Sequence, residues 1–265
     1  MFRTGTTSYI IPADILPNVE YLAPQVDDVQ LVLFETDEHG SNLPGAEVCR
    51  RLAEIAARQH LTYTVHLPLD LHFGTGPEPS HVSLVKARRV IEATRSLRPF
   101  AYTLHLDGSA FQEAPPDAAA WQRWQADAEA ALRALMAWVD DPARLCIENL
   151  ERWDPDLFAP LVEALPVGRT VDIGHLWLQG RDPVAHLQRW LPRTRVVHLH
   201  GIAARDHASL RHVEPKHLDA VMRCLVDGWD GVLTLEVFSQ EDLQTSLDCL
   251  RQSLARIGRP CPCTS

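Results

Sequence analysis

Eight short apolar runs alternate with helical patterns along the whole chain, and they predict a single (β/α)8 barrel of the TIM type. The predicted strands lie near residues 3–9, 29–35, 61–67, 100–106, 144–149, 168–173, 194–200 and 231–237. Strict alternation indicates parallel strands joined by right-handed helical crossovers. Eight units and a length of 265 residues favour a closed barrel over an open doubly wound sheet. No Gly-rich dinucleotide loop follows the first strand, which also counts against the open sheet.

Several segments between the strands carry the three- and four-residue apolar spacing of amphipathic helices. The clearest of them are 44–60, 119–139, 215–228 and 240–256. Ser239, followed by Asp242 in the first turn, is typical of a helix N-cap.

The barrel is expected to occupy residues 1–257 as one catalytic domain, with a flexible tail over residues 258–265. Two long strand-to-helix loops run from Leu67 to Pro79 and from Leu106 to Asp117. In a barrel of this kind such loops open onto the active-site face, at the carboxyl ends of the strands.

Composition excludes several classes of protein. Hydrophobic residues make up 46% and charged residues 23%, which is ordinary for a globular protein and argues against disorder. The formal net charge of −10 lacks the basic surplus of a nucleic-acid-binding protein, so a small-molecule substrate is expected and no nucleic acid. The sequence shows neither a signal peptide nor a membrane span, so we expect a cytoplasmic protein with free thiols. The pair Cys261 and Cys263 is a weak metal or redox signal.

The carboxyl ends of seven consecutive predicted strands carry a His, Asp or Glu. From the second strand onward these residues are Glu35, His66, His105, Glu148, Asp172 with nearby His175, His198 with His200, and Glu236. One such residue is more often a loop anchor than a ligand. Seven in register would cost several kcal/mol each when buried around one axis, unless something compensates them. A divalent cation compensates carboxylates and neutral imidazoles together, so the sequence predicts a metal site.

These residues resemble the xylose-isomerase-like barrel superfamily, which includes sugar isomerases and epimerases and the endonuclease IV type of phosphodiesterase. The resemblance implies a single-metal core with one ligand from each of the last four strands. The implied ligands are Glu148, Asp172, His198 or His200, and Glu236. Period-two geometry places both histidines of the seventh strand on the inward face, so the sequence leaves the choice between them open.

The endonuclease IV type adds a His after the third strand and a His after the fourth. The motifs Val-His-Leu-Pro at 65–68 and His-Leu-Asp-Gly-Ser at 105–109 resemble both. That type holds up to three zinc ions, and its third ion also takes an Asp-x-His after the seventh strand. Here Asp206 and His207 are adjacent instead of spaced by one residue.

The N-terminal part of the chain looks more like the cobamide-remodelling phosphodiesterases. The similar segments are GTTSYIIP at 5–12, ILPNV at 15–19, LVLFE at 31–35 and HLPLD at 66–70. This resemblance implies hydrolysis of the phosphoribosyl bond in the nucleotide loop of cobalamin-like cofactors. The products would be cobinamide phosphate and the lower-ligand riboside.

The resemblance also implies roles for the residues. His66 and His105 would bind one ion with Glu148, which bridges to a second ion held by Asp172, the seventh-strand His and Glu236. A third ion or the leaving group would be served by His175, Asp206 and His207. The candidate catalytic residues are Glu148, Glu236, His175 and Glu35. Glu35 would be a base behind the ligands or a substrate contact, and its simpler interpretation is a loop hydrogen-bond acceptor. Zinc is the first expectation, although manganese, cobalt and iron also suit mixed nitrogen and oxygen ligands.

Two alternatives remain open. In a single-metal sugar isomerase or epimerase, Glu148 and Glu236 would exchange protons with a carbon beside a carbonyl, and His66 and His105 would have no ligand role. A non-catalytic protein with a structural metal would more often use a closed, cysteine-rich site.

Overall fold

The computed structural model describes residues 2–36, 40–69, 71, 77–109 and 118–259. In this part of the chain, eight parallel strands close into a ring, which confirms the predicted barrel. The strands are β1 (Arg3–Thr7), β2 (Asp28–Val32), β3 (Glu35–Thr36), β4 (Gly40–Ser41), β5 (Thr62–His66), β6 (Tyr102–Leu104), β7 (Leu145–Glu148), β8 (Gly168–Asp172), β9 (Thr194–Leu199) and β10 (Val232–Leu235). All belong to the barrel except β3 and β4, which form a separate antiparallel ribbon.

Helices surround the barrel. The α-helices in the described residues are α1 (Ile15–Leu22), α2 (Ala46–Gln59), α3 (Pro77–Thr94), α4 (Ala118–Met136), α5 (Ala159–Ala164), α6 (Ile173–Leu178), α7 (Pro183–Trp190), α8 (Pro215–Val226) and α9 (Gln240–Arg256). The four helices predicted from apolar spacing correspond to α2, α4, α8 and α9. The predicted cap of α9 is also confirmed, because Ser239 Oγ accepts the Asp242 N–H at 3.1 Å. None of the described helices is both long and apolar enough to cross a lipid bilayer.

The main core lies between the barrel and its helices. Its fully buried members include Leu31 on β2, Val65 on β5 and Val197 on β9, which pack in one cluster with helical residues such as Leu52 and Leu132. Because alternate residues of each strand fill this layer, the remaining strand residues point to the barrel axis.

The inside of the barrel is unusually polar. The Thr103 and Thr170 hydroxyls are hydrogen-bonded across it at 2.8 Å. Gln30, which has no exposed surface, lies against His198. The strand register sets the level of these groups, since Asp172 on β8 pairs with His198 on β9.

The structure differs from the sequence-based prediction at the end of the second strand, and it does not describe most of the tail. The second strand was expected to reach residue 35, but β2 ends at Val32 because the Phe34 N–H donates to the Asn42 side chain. Glu35 therefore belongs to the β3–β4 ribbon, and its expected place at the end of a barrel strand was wrong. Most of the predicted tail, including Cys261 and Cys263, lies outside the described residues, as do 72–76 and 110–117 of the two long loops. The described cysteines, at 49, 146, 224 and 249, are free thiols.

A buried carboxyl group near the amino ends of the strands should make stability depend on pH. Asp28 is fully buried and accepts hydrogen bonds from Thr62 Oγ1 at 2.7 Å and Thr64 Oγ1 at 2.8 Å. Burial outweighs these two bonds and raises the pKa of Asp28 from 3.8 to about 7. The folded protein therefore holds this proton more tightly than the unfolded chain. The stabilisation is complete below about pH 4 and is lost as the pH rises through about 7.

We predict that Asp28→Asn makes the protein more stable than the wild type at pH 8, because the amide never has to ionise. At about 1.4 kcal/mol per tenfold change in proton affinity, the advantage should reach about 2 to 4 kcal/mol and fall toward zero near pH 4. Urea unfolding of both proteins in chelator, at several pH values, measures it. An advantage that does not change with pH would contradict the prediction.

Candidate metal centre

All ten side chains that the sequence predicted as metal ligands converge at the carboxyl ends of the barrel strands. They form three groups, and within each group one potential ligand atom per residue lies within 4.8 Å of the others. The first group is His66, His105 and Glu148; the second group is Glu148, Asp172, His198 and Glu236; the third group is His175, His200, Asp206 and His207.

Glu148, at the end of β7, belongs to both the first and the second group. Its Oε2 lies 2.9 Å from His105 Nε2 and 3.3 Å from His66 Nε2. Its Oε1 lies 2.8 Å from His198 Nδ1. The two oxygens therefore face different groups, which is the arrangement that a bridging carboxylate needs.

Asp172 connects the second group to the third. It lies at the end of β8, and its Oδ1 is 3.2 Å from His200 Nε2, while its Oδ2 is 3.8 Å from His198 Nδ1. The Asn149 side chain braces it through two hydrogen bonds to its backbone, each 2.9 Å long. The structure thus separates the histidine in β9 from the one directly after it: His198 lies in the second group and His200 in the third.

Three of the histidines have one ring nitrogen held by a backbone carbonyl. His66 Nδ1 donates to Leu67 O at 2.7 Å, His175 Nδ1 to Asn149 O at 3.0 Å, and His200 Nδ1 to Gly201 O at 3.2 Å. A carbonyl can only accept, so Nδ1 carries the proton and Nε2 of each neutral ring keeps its lone pair. Metal-binding histidines are usually oriented in this way.

The chemistry of these atoms fits a divalent cation. Asp172 Oδ2, Glu236 Oε2 and His200 Nε2 are buried and have no hydrogen-bond partner. Glu236 Oε2 is nevertheless only 3.0 Å from His198 Nδ1, a close approach without hydrogen-bond geometry. Unpaired polar atoms of this kind are costly in a protein interior, and cations at the second and third groups would compensate them.

The carboxylates and imidazoles of these groups shift one another's pKa values. Burial acts to raise the pKa of Glu148, but the charge of His198 and hydrogen bonds from neighbouring histidines outweigh it and hold that pKa well below its ordinary value. Burial disfavours protonation of His175 and His200, yet the nearby Asp172 raises the pKa of each to about 9. Ligating nitrogens must be unprotonated, so cation uptake at neutral pH would release protons.

The loop after β9 brings two adjacent residues of the third group to one place. His207 has a left-handed backbone with φ of 52°. Its ring stacks on the His200 ring at 4.3 Å between centroids, and its Nε2 lies 3.5 Å from Glu236. Asp206 Oδ1 lies 3.2 Å from His200 Nδ1. A left-handed residue turns the chain sharply, and this turn lets two adjacent side chains approach the same His200 ring.

Glu35 lies apart from the three groups. Its carboxylate accepts a hydrogen bond from Ser41 Oγ at 2.9 Å and forms an ion pair with Arg89. These contacts agree with the simpler interpretation of Glu35 as a loop hydrogen-bond acceptor, and its role as a base or substrate contact stays a prediction.

A cavity of about 600 Å³ opens over the ligand groups. Its wall includes the exposed apolar side chains of Leu69 and Phe238, together with Trp153 and the cationic Arg152. Sequence reasoning missed Trp153 and Arg152, as well as the supporting residues Asn149 and Gln30. Asn149, Arg152 and Trp153 follow Glu148 closely in the sequence, and this position was the only signal available for them.

The chain is a TIM barrel whose strand ends carry carboxylates and imidazoles that could hold divalent metals. A family model described as xylose isomerase-like TIM barrel matches residues 26–253. The chain therefore belongs to this family, which confirms the superfamily resemblance found in the sequence.

Solved structures agree on the fold. A D-tagatose 3-epimerase-like protein has a TM-score of 0.75 and 16% identity, over 97% of this chain and 98% of that one. Endonuclease IV from Thermus thermophilus has a TM-score of 0.70 and 18% identity, over 96% and 99%. The 3-keto-D-glucoside 4-epimerase of E. coli has a TM-score of 0.70 and 15% identity, over 96% and 100%. At these identities the likeness establishes the fold alone.

Two curated relatives match a short segment. They are the quinolinate synthases of two Halobacterium salinarum strains, and each is 35% identical over 80 residues, which is 29% of this chain and 21% of that protein. The matched segment therefore spans only about a fifth of the length of these relatives.

Gly174 provides a test of the third group. A Cβ at this position would lie 2.0 Å from His200 Cε1 and 2.3 Å from His200 Nε2, so a methyl group must displace the ring. We predict that Gly174→Ala lowers the zinc content of the fully loaded protein by about one ion per chain, measured by elemental analysis.

The matched control is Gly45→Ala, because a Cβ at Gly45 meets no atom within 4 Å and its φ is −69°. That variant should keep the wild-type content. A folded Gly174→Ala protein with the full wild-type metal content would show that the third group does not depend on His200.

Proposed function

We propose that the chain is a cytoplasmic, metal-dependent enzyme for small molecules, and that its ligand geometry fits a phosphodiesterase best. The observation that carries this proposal is the presence of the first and third groups beside the second. A single-metal centre needs only Glu148, Asp172, His198 and Glu236. The remaining histidines, of which His66, His175 and His200 are buried and His105 and His207 partly buried, would then have no function to offset the cost of their burial.

Each ligand group and the cavity wall would have a separate role in the reaction. His66, His105 and one oxygen of Glu148 would hold one ion, and the second group would hold another through the other oxygen. Divalent ions, when bound there, lower the pKa of a coordinated water and offset the charge of a phosphodiester. The third group would hold a further ion or face the leaving group. The apolar wall at Leu69, Trp153 and Phe238 would limit access of bulk water, and Arg152 would offer a positive charge to the substrate.

The finer proposal is a cobamide substrate, with cleavage of its phosphoribosyl bond. It rests on the N-terminal sequence resemblance, and the similar structures described above add no support for it. Incubation with cobalamin, followed by mass spectrometry for cobinamide phosphate and the lower-ligand riboside, tests it directly. Endonuclease IV, which shares the fold, makes a nucleic acid the obvious competing substrate. The net charge of −10 argues against it, and a salt-sensitive gel shift with DNA would reverse that conclusion.

The comparisons favour the second candidate, a single-metal sugar epimerase or isomerase, because several of the similar structures are described as sugar epimerases. The geometry allows it as well. Glu148 Oε1 and Glu236 Oε2 lie 2.8 Å and 3.0 Å from the same His198 nitrogen, so two carboxylates converge beside one ligand position. Such a pair could take a proton from a carbon next to a carbonyl and return one to it.

The replacement of His66 and His105 by Ala separates the two candidates. For a phosphodiesterase, the double variant should lose about one ion per chain and about 100-fold or more of its hydrolysis of bis(p-nitrophenyl) phosphate. Both are expected because the first ion loses two of its three protein ligands. Elemental analysis and initial rates measure these effects.

The exposed His212 supplies the control, and His212→Ala should behave as wild type. Unchanged hydrolysis in the double variant would contradict the phosphodiesterase. A wild-type protein that binds one ion per chain and exchanges deuterium from solvent into a ketose would establish the epimerase instead.

A further inference from the structure

Gln30 on β2 makes an unusual contact with a predicted ligand. Its side chain is fully buried, and its amide nitrogen lies 2.8 Å from His198 Nε2. The other end of the amide, Oε1, has no hydrogen-bond partner although it is buried. A buried amide with one end unpaired is costly, and it calls for a physical explanation.

The other nitrogen of His198 faces the carboxylates. Nδ1 lies 2.8 Å from Glu148, 3.0 Å from Glu236 and 3.8 Å from Asp172. If a cation occupies the second group, His198 must reach it through Nδ1. A neutral imidazole that uses Nδ1 as a ligand carries its proton on Nε2.

A proton on Nε2 conflicts with the orientation of the amide, because an NH₂ group would then face an N–H group. Amide oxygen and nitrogen have the same shape, and which is which follows from the hydrogen-bond network. Rotation of the Gln30 amide by half a turn places Oε1 against the Nε2–H. The amide NH₂ group then takes the buried place that Oε1 has in the structure.

We infer that Gln30 is a positioning residue of the second group: its Oε1 accepts the Nε2–H of His198, and this selects the tautomer that presents Nδ1 to the cation. The inference rests on the metal centre proposed above. His66, His175 and His200 have the opposite tautomer, with the proton on Nδ1, and backbone carbonyls that no substitution can remove select it. His198 obtains its own tautomer from a side chain, so its orientation can be tested by mutation.

Two variants test the role of the acceptor. Gln30→Met keeps the size of the side chain and removes the acceptor, whereas Gln30→Glu keeps an acceptor oxygen. We expect Gln30→Met to weaken zinc binding at the second group by about 10- to 100-fold, the usual effect of losing the partner of a metal-binding histidine. Gln30→Glu should bind more tightly than Gln30→Met. Competition with a chelator of known affinity measures both.

Thr94→Val is the matched control. It removes a buried hydroxyl that donates to Val90 O at 2.8 Å, on α3, and it touches no member of the three groups. This variant should keep wild-type zinc affinity, which separates a general loss of buried hydrogen bonding from a specific effect on His198.

A second readout uses the wild-type protein and does not depend on the folding of any variant. Long-range ¹H–¹⁵N spectra of the zinc-loaded protein, with labelled histidine, should show His198 protonated at Nε2 and bound through Nδ1. A proton on Nδ1 would overturn the inference.

The outcomes separate the two proposals. Wild-type affinity in Gln30→Met, in a wild-type protein that does bind zinc, overturns the role of Gln30 and leaves the metal centre intact. A wild-type protein that takes up no divalent cation under any loading condition overturns both. A 10- to 100-fold loss with recovery in Gln30→Glu supports the inference.

Discussion

The mutual attraction of buried carboxylates and imidazoles at one end of the barrel is the constraint on which the rest of the molecule depends. Glu148, Asp172 and His198 are at most 1% exposed, so each charge has lost almost all of its hydration. Such groups persist in a protein interior only when opposite charge or hydrogen bonds replace water. The imidazoles partly replace the water that the buried carboxylates have lost. The unpaired Asp172 Oδ2 and Glu236 Oε2 mark where the compensation remains incomplete.

The barrel supplies the precision that this compensation requires. Parallel strands in fixed register bring side chains from β5 to β10 to one level, and period-two alternation turns them inward. Supporting contacts then set each ligand. Backbone carbonyls hold three histidine rings, Asn149 braces Asp172, and the closeness of Gly174 to the His200 ring leaves no room for a larger residue. Most of the predicted ligands therefore lie at strand ends and short turns, which are more rigid than long loops.

Much of this arrangement could be predicted because it follows from local pattern. Eight apolar runs predicted the eight barrel strands, and the position of His, Asp and Glu after them predicted which side chains meet. The sequence could not predict how the ligands divide into groups. His198 and His200 share one strand face, and only the register with β8 and the turn at His207 separates them. Glu35 was misplaced for a related reason, since the hydrogen bond that the Phe34 N–H donates to the Asn42 side chain ended β2 earlier than its apolar pattern did.

Helices α5 and α6 were not predicted because six residues are too few to show a helical period. The role of Gln30 is a different kind of omission. In the sequence, Gln30 cannot be distinguished from any other polar residue of a barrel strand. Its role depends on which nitrogen of His198 its amide contacts, and only the structure shows this. Fold similarity has the same limit: an epimerase-like protein and endonuclease IV superimpose on this chain almost equally well. The two functions proposed for this chain differ physically in the number of cations that the mouth would hold. Here that number depends on whether His66 and His105, and the third group, act as ligands beside the four residues of the second group.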